Sequence, residues 1–344
     1  MDLDRFSVAT FNLYNFQVPG AHMNPGQRPY DEQEYRRKVV WTADRLRDLR
    51  PEIVGFQELW HADALADVLV EANLDDDYDV LSAPATGDKI VCAAIVRKGL
   101  LRGDPQWIST FPDAVRLENT TGDPQAPDIA VHITGFSRPV LTFDVALREA
   151  PPLTKVFVTH LKSKLPAEIS TEPWYDPAVH GNHRTAIGAA LATIRRTAEA
   201  TALRVLLTQV MKGTVTPVIV LGDCNDGQHS NTINILTEQP RYLVGDSQGG
   251  GDIALYTAQT LQEYRDTRDV YYTHVHDDLR ESLDHVLVSE QFYDHAYRRQ
   301  WLFDGLTIAN DHLNDDDSAV HRLKGTGDHG IVKVGFRWKP TRTV

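Results

Sequence analysis

An α/β fold built on mixed sheets is predicted by three features of this 344-residue sequence. Short apolar runs rich in β-branched residues alternate along it with stretches whose apolar residues recur at helical spacing. Some neighbouring runs are separated by a helix, as parallel strands require. Others are separated by a short link such as Arg148-Glu-Ala-Pro-Pro152, which suits an antiparallel hairpin. Both kinds of connection in one chain favour mixed sheets over a purely parallel one. No internal repeat and no long polar linker divides the sequence, so a single domain over residues 1–344 is expected.

The first strand is expected over residues 6–13, with Val8, Phe11 and Leu13 among its apolar positions. A polar loop over 17–30 follows. Tyr35, Val39, Ala43, Leu46 and Leu49 recur at three- and four-residue steps and predict a helix over 32–49, stopped by Pro51. A buried strand over 53–58 ends in an acid, and a helix over 61–72 is spaced by Leu65, Val68 and Leu69. Strands are expected over 78–82 and 90–97, the latter at a sheet centre. From 99 to 137, Pro105, Pro112, Pro124 and Pro127 break the pattern. This is read as an irregular insertion, mostly surface excursion, with one or two short edge strands in it; a structureless connection that long would be unusual. Alternation over 140–147 and 155–161 predicts two strands joined as a hairpin. A second irregular insertion over 162–182 contains Trp174 and Tyr175, and a long Ala-, Leu- and Arg-rich helix is expected over 183–210. The run Pro217-Val-Ile-Val-Leu-Gly222 is a buried strand that stops at Asp223. A helix from Thr232 to near Pro240, a flexible turn at Gly249-Gly-Gly251, and strands over 282–288 and 331–337 complete the reading. An acidic, glycine-containing run over 315–327 precedes the last strand.

Charge and cysteine content narrow the function classes. Thirty-five Lys and Arg stand against 48 Asp and Glu, a formal charge of −13, so a broad basic surface for gripping long duplex DNA is not indicated. Carboxylates gathered around a divalent cation reverse that logic locally, because they present a positive ion to phosphate. Cys92 and Cys224 lie in or beside expected buried strands, which argues against a disulfide framework. The sequence begins with no signal-peptide pattern and contains no stretch long enough to insert in a membrane, so a cytoplasmic protein is expected, or a secreted one if a leader has been lost.

The polar residues at strand ends form a consistent set: Asn12, Glu58, His160, Asp223, Asn225, Asp284 and the pair Asp328-His329. Singly, each has an ordinary structural explanation, as a turn former or a satisfied core histidine. Together they gather the hard oxygen donors that suit Mg²⁺ or Mn²⁺. Period-two geometry points Asp223 and Asn225 one way and Cys224 the other. Two cysteines are too few for a thiolate site, and no His-Glu-x-x-His, Walker or dinucleotide fingerprint is present. Gly249-Gly-Gly251 lacks the lysine and helix of a phosphate loop.

In order along the chain, Thr10-Phe-Asn12, Gln57-Glu58, Thr159-His-Leu-Lys-Ser163, Gly222-Asp-Cys-Asn225, Leu283-Asp-His285 and Gly327-Asp-His329 resemble the motifs of the endonuclease/exonuclease/phosphatase superfamily. That superfamily includes DNase I-like nucleases, apurinic-site endonucleases, sphingomyelinases and inositol-polyphosphate phosphatases. The resemblance implies a four-layer α/β/β/α sandwich with two packed mixed β-sheets. It implies Glu58 as principal metal ligand, Asn12 as its orienting partner or a phosphate contact, and Asp328 completing the metal shell or orienting His329. It implies Asp223 and Asn225 positioning the attacking water, a dyad of His329 with Asp284, and His160 as a second histidine near the leaving oxygen. Whether Asp223 or His329 is the base stays open, with Asp223 favoured because Asn225 can orient it. Two departures stand out: Gly327 occupies the position of a serine before Asp328, and Ser282 that of an arginine before Asp284.

Superfamily membership leaves the substrate open. His160-Leu-Lys-Ser163 resembles bacterial nuclease-like members and implies a nuclease acting on DNA or RNA, with Arg138, Lys162, Lys164 and Arg184 as candidate phosphate contacts. Trp174 and Tyr175 suit base stacking and loop anchoring equally. The alternatives are a phosphatase or phosphodiesterase acting on a small-molecule or lipid-headgroup ester, and a non-catalytic binding module of the same fold. The module predicts loss of core polar residues, and none is lost. A monomer is favoured.

Overall fold

Two strand–helix–strand units organise the chain, one in each of two packed sheets. The computed structural model describes residues 2–83, 87–120, 122, 125–240, 253–266, 272–276, 279–313 and 317–341. In chain order, β1 (Arg5–Phe16) leads through α1 (Glu32–Leu49) to β2 (Ile53–Leu59), followed by α2 (Ala62–Ala72), β3 (Tyr78–Leu81) and β4 (Val91–Arg97). Next come β5 (Leu101–Thr110), the short β6 (Glu118–Asn119) and β7 (Ile129–Ala130), β8 (Gly135–Val145) and β9 (Thr154–His160). Then α3 (Pro177–His180) and α4 (Arg184–Met211) lead to β10 (Val218–Asp223) and α5 (Asn231–Thr237). The last part holds β11 (Tyr256–Thr257), α6 (Ala258–Glu263), β12 (His274–His276), β13 (Leu279–Glu281), β14 (Asp284–Val288), β15 (Trp301–Ala309), α7 (Ser318–Lys324) and β16 (Ile331–Trp338).

The two sheets run β15-β16-β1-β2-β4-β3 and β11-β14-β10-β9-β8-β5. Their centres are alike. β1 is parallel to β2 and β10 is parallel to β9, each pair joined by a crossover helix, α1 in one case and α4 in the other. Antiparallel neighbours flank both pairs: β16 and β4 in the first sheet, β14 and β8 in the second.

Alternation in these strands separates three cores. Val8, Ile53, Val156, Ile219 and Val286 pack between the sheets. Phe11, Val54 and Phe56 face outward against Val39, Ala43, Leu46, Leu65 and Val68 of α1 and α2. Phe157, Val218 and Val220 face outward against Leu203, Leu207, Ile233 and Leu236 of α4 and α5. The result is the helix–sheet–sheet–helix sandwich that the motifs implied. The sheets approach closely at Gly55, where a Cβ would stand 3.0 Å from side-chain carbons of both Leu221 and Val158.

Local signals account for the best-read elements. Asp31 caps α1 in a reciprocal box with Glu34, and Arg50 closes the helix in the left-handed conformation before Pro51. His61 caps α2. The irregular stretch after Gly99 contains a ten-residue edge strand, β5, rather than one or two short ones alone. Its residues are mostly exposed and Pro105 lies within it, which an edge strand tolerates because one side makes no ladder. β15, the opposite kind of omission, is an edge strand with no expectation attached to it. The run before β16 is not simply acidic loop, since it includes α7. Gly249-Gly-Gly251 lies outside the described residues. Among the described residues no helix is long and apolar enough to cross a membrane.

Candidate active site

Strand parity carries the polar residues to one end of the inter-sheet core. In β1 the face bearing Phe6 and Val8 continues in two-residue steps through Thr10 to Asn12. In β9 the face of Val156 and Val158 reaches His160, and in β10 the face of Ile219 and Leu221 reaches Asp223. β14 runs the other way, so its inward face begins at Asp284 and passes to Val286 and Val288. Each face is apolar over the core and turns polar where the parallel strands end.

Glu58 departs from this rule. Parity from Ile53 points it outward, but the pairing of β2 shifts register on both sides, between Asn12 and Phe16 and between Phe56 and Leu59. Glu58 itself adopts φ 60°, a left-handed conformation that costs a non-glycine residue about 1–3 kcal/mol. This bulge turns its carboxylate toward His160. The Asn15 N–H donates to Glu58 Oε2 at 2.9 Å, and the Trp60 indole donates to Asn15 Oδ1 at 3.1 Å, which holds the bulge in place.

The cluster is continuous. Asn12 Nδ2 donates to Asp223 Oδ2 at 3.1 Å, and the Asn225 N–H donates to Asp223 Oδ1 at 2.8 Å. His160 Nε2 lies 3.5 Å from Asp223 Oδ2 and 3.9 Å from Glu58 Oε1. His329 Nε2 lies 3.9 Å from Asp223 Oδ2, and its Nδ1 is hydrogen-bonded to Asp284 Oδ2 at 2.8 Å. Asn12, His160, Asp223, Asp284 and His329 are all at most 6% exposed. The Thr273 hydroxyl accepts from the N–H groups of Leu283 and Asp284, and Gln259 Nε2 donates to the Asp284 carbonyl, so the start of β14 is rigidly held.

Burial and charge divide the two histidines. Burial, with Arg138, His329 and Lys162 adding to it, pushes His160 well below its ordinary value and keeps it neutral. Burial opposes a charge on His329 too, but the carboxylates of Asp284 and Asp223 outweigh it and raise His329 well above its ordinary value. Burial pushes Asp223 up, and the Asp284 charge adds to this. Glu58 is raised by burial first and then by Asp328.

Glu58 and Asp328 are candidates to hold a divalent cation: Asp328 acts on the charge of Glu58, and among the described residues Asp328 Oδ1 is buried with no hydrogen-bond partner. Hard cations take oxygen ligands of this kind. Both carboxylates support a charge on buried Lys38, but burial outweighs them and lowers its ammonium to about 8, while His329 and Arg138 act on Glu58. Ligand atoms of Asp223, Asp284 and His329 also lie within 4.8 Å of one another. Binding a metal there would require His329 to give up the proton that two carboxylates hold on it. A third grouping, His274 with Asp328 and His329, brings in a residue that the sequence reading missed.

Most of the expected residues converge, with exceptions. Asn225 does not reach the site by alternation: β10 ends at Asp223, and Asn225 sits at φ 53°, its Nδ2 donating to the Leu161 carbonyl at 3.0 Å. Arg138 donates to the same carbonyl at 3.4 Å and acts electrostatically on Glu58 and His160. Lys162 turns its ammonium back onto Ser163 Oγ and the Leu165 carbonyl, and Lys164 pairs with Glu281 at 2.6 Å. Arg184 is exposed at the first turn of α4, where it acts on Glu168, and is not brought to the cluster. Trp174 is exposed and packs with Tyr175 and His180. Cys224 packs in the outer core as expected, and His285 is a support, its Nε2 hydrogen-bonded to the Asp226 carbonyl at 2.9 Å. Lys38 carried a readable signal, since a lysine three residues after Tyr35 falls on the buried stripe of α1.

The model of the Endonuclease/Exonuclease/phosphatase family matches residues 9–329. The chain belongs to this family. Family members are phosphoester hydrolases, and so is this chain; the family is generally dependent on divalent metal. Similar folds include a truncated TDP2 from Caenorhabditis elegans, with a TM-score of 0.55, 12% identity and 97% of each chain covered. An endonuclease/exonuclease/phosphatase from Bacteroides vulgatus has a TM-score of 0.55 and 13% identity, over 97% of this chain and 99% of that one. A mannosyl-6-phosphatase from Bacteroides thetaiotaomicron has a TM-score of 0.54 and 14% identity, over 97% of this chain and all of that one (100%). No curated protein matches the sequence significantly.

Proposed function

We propose that the protein is a divalent-metal-dependent phosphodiester hydrolase acting on DNA or RNA by direct attack of water. The supporting observation is the run of groups from half-buried Glu58 through buried His160 and Asp223 to His329 and Asp284, with an Asp328 carboxylate oxygen within 4.8 Å of His329. Glu58 and Asp328, with Asn12, would hold Mg²⁺ or Mn²⁺, which would supply charge neutralisation at the phosphoryl and leaving oxygens. Asp223 takes the proton of the attacking water. Its two oxygens are fixed by Asn12 and the Asn225 N–H, and burial raises its basicity toward neutrality. The His329 imidazolium, oriented by Asp284, faces the charge that develops on the non-bridging oxygens. Neutral His160 donates a hydrogen bond on the same face. Arg138 adds positive charge from the Leu161 side.

A second reading, a phosphatase or phosphodiesterase for small esters, is favoured by the lysines. Lys162 and Lys164 are engaged by their own surroundings and Arg184 stands apart, so among the described residues these groups make no basic track for a long polymer. The similarity of fold to a mannosyl-6-phosphatase is compatible with it. Plasmid DNA, single-stranded DNA, RNA, bis(p-nitrophenyl) phosphate and a phosphomonoester, each assayed with Mg²⁺ and Mn²⁺, separate the two. Cleavage of polynucleotides supports the first reading, and cleavage of small esters with polynucleotides intact supports the second. Full activity in EDTA after exhaustive metal removal would overturn both.

A further inference from the structure

A cavity of about 560 Å³ opens beside the carboxylate pair, between the loop after β1 and the helices α1 and α7. Tyr14 and Asn15 belong both to its wall and to the surroundings of the cluster. Asn15 holds Glu58 through its N–H, and the Tyr14 hydroxyl, raised to about 12 by burial and then by Asp328 and Glu58, is pulled the other way by Arg322. Tyr14 therefore stands between the carboxylates and the basic residues of the cavity.

Those basic residues are concentrated against the sign of the whole molecule. Among the described residues, Arg28, Arg37 and Arg322 line the cavity with one carboxylate, Glu34, among them. Arg322 lies 4.4 Å over the Tyr30 ring, donates to the carbonyls of Arg28 and Pro29, and meets Glu34 Oε2 at 3.2 Å. Arg28 grips both oxygens of Glu34. Two guanidiniums thus share one carboxylate. Among the described residues Arg37 makes no ion pair, and its Nε, like that of Arg322, is buried with no hydrogen-bond partner. Asp31 and Asp317 are close by, but each caps a helix, accepting from the N–H of Glu34 and of Ala319. The volume lies within the range of small-ligand sites, and planar guanidinium forks between aromatic walls match phosphate oxygens.

We infer that this cavity binds a second phosphoryl group of the substrate, with Arg37 as its principal contact, so that the enzyme prefers a phosphoester carrying a phosphate beside the scissile one. The inference rests on the hydrolase reading above and narrows it. The second phosphate is either the terminal phosphate of a polynucleotide strand or that of a small bisphosphorylated molecule.

Two measurements test it. In the first, turnover with Mg²⁺ is compared for thymidine dinucleotides and for longer oligothymidylates, each with a 5′-phosphate or a 5′-hydroxyl end. In the second, calorimetry with Ca²⁺ compares binding of thymidine 3′,5′-bisphosphate and thymidine 5′-monophosphate, without any need for turnover. A charge-assisted contact of this kind predicts a preference of about 10- to 100-fold for the additional phosphate. Arg37→Gln, which removes no existing hydrogen bond, is expected to bring the preference close to unity, and Arg37→Lys to restore part of it. Preference in dinucleotides alone identifies a small bisphosphorylated substrate, and preference in the longer strands as well identifies a strand end. Equal binding of the two nucleotides together with equal turnover of both ends overturns the inference and leaves the hydrolase reading standing. A retained preference in Arg37→Gln overturns it also. Tighter binding of the bisphosphate without turnover of any ester upholds the cavity and defeats the hydrolase reading.

Discussion

Asp284 and His329 show how much of the site's protonation is set by single neighbours. An imidazole in this buried position would ordinarily lose its proton readily, yet two carboxylates hold it charged. Its folded-state pKa is raised, so the imidazolium persists as pH rises past the usual range and is lost only at a higher value. Asp284→Asn removes the nearer carboxylate. The basic limb of kcat/KM should then move to lower pH, with kcat down about 10²- to 10⁴-fold, as for other carboxylates that orient a catalytic histidine. A limb that stays in place would remove His329 from the role assigned to it. Asp223 behaves oppositely in function, since burial raises it and it must be deprotonated to act. Activity should therefore fall as pH drops through a value above the ordinary carboxylate pKa of about 3.9. Asn225 is the residue at this scale that the sequence misplaced. Its side-chain amide donates to the Leu161 carbonyl, and a left-handed backbone, not strand alternation, sets its direction.

Elements matter through the register they impose. Gly222 lies in β10 opposite Thr159 of β9, and a Cβ there would come 2.4 Å from the Thr159 carbonyl oxygen, a backbone atom with nowhere to go. Gly222→Ala is expected to destabilise the protein by about 1–3 kcal/mol and to lower kcat by displacing Asp223; differential denaturation and turnover of the same preparation would measure both. The junction of α1 with α7 makes a different prediction. Glu34 is lowered to about 2, chiefly by its hydrogen bonds to Arg28 and next, against the cost of burial, by that to Arg322. A carboxylate depressed in the folded state binds fewer protons there than in the unfolded chain. Its contribution is full above about pH 4.5 and is lost as pH falls toward about 2. Glu34→Gln should lower Tm at neutral pH and flatten the acid part of the Tm–pH curve; an unchanged curve would mean that the pairs contribute nothing. β5 and β15 were hard to read for a common reason. Both are edge strands with substantial exposure, so neither carries the uninterrupted apolar run that marks a strand flanked on both sides.

For the molecule as a whole, the proposed cation site at Glu58 and Asp328 would couple metal binding to stability. A cation that binds only the folded state stabilises it by about 2.7 kcal/mol at a hundredfold excess over Kd. Mg²⁺ should therefore raise Tm by several degrees, and Glu58→Gln should lose most of that rise while folding normally. Identical shifts in the two proteins would place the cation elsewhere. By itself, the sequence determined the mixed α/β class, nearly every central strand and major helix, and the set of polar residues that end those strands. Periodicity records burial directly, and a buried run that stops at Asp223 or His160 states that a polar group lies at its end. What only the tertiary structure decided is which of those ends meet. The packed sheets bring Asn12 of β1 to Asp223 of β10 and Asp284 of β14 to His329 just before β16, and a bulge turns Glu58 inward against its own alternation. The same packing leaves Arg184 outside the cluster and assembles Arg28, Arg37 and Arg322 around one cavity. Contacts between residues as far apart as Asn12 and Asp223 depend on sheet order and register, and no local pattern in the chain encodes either.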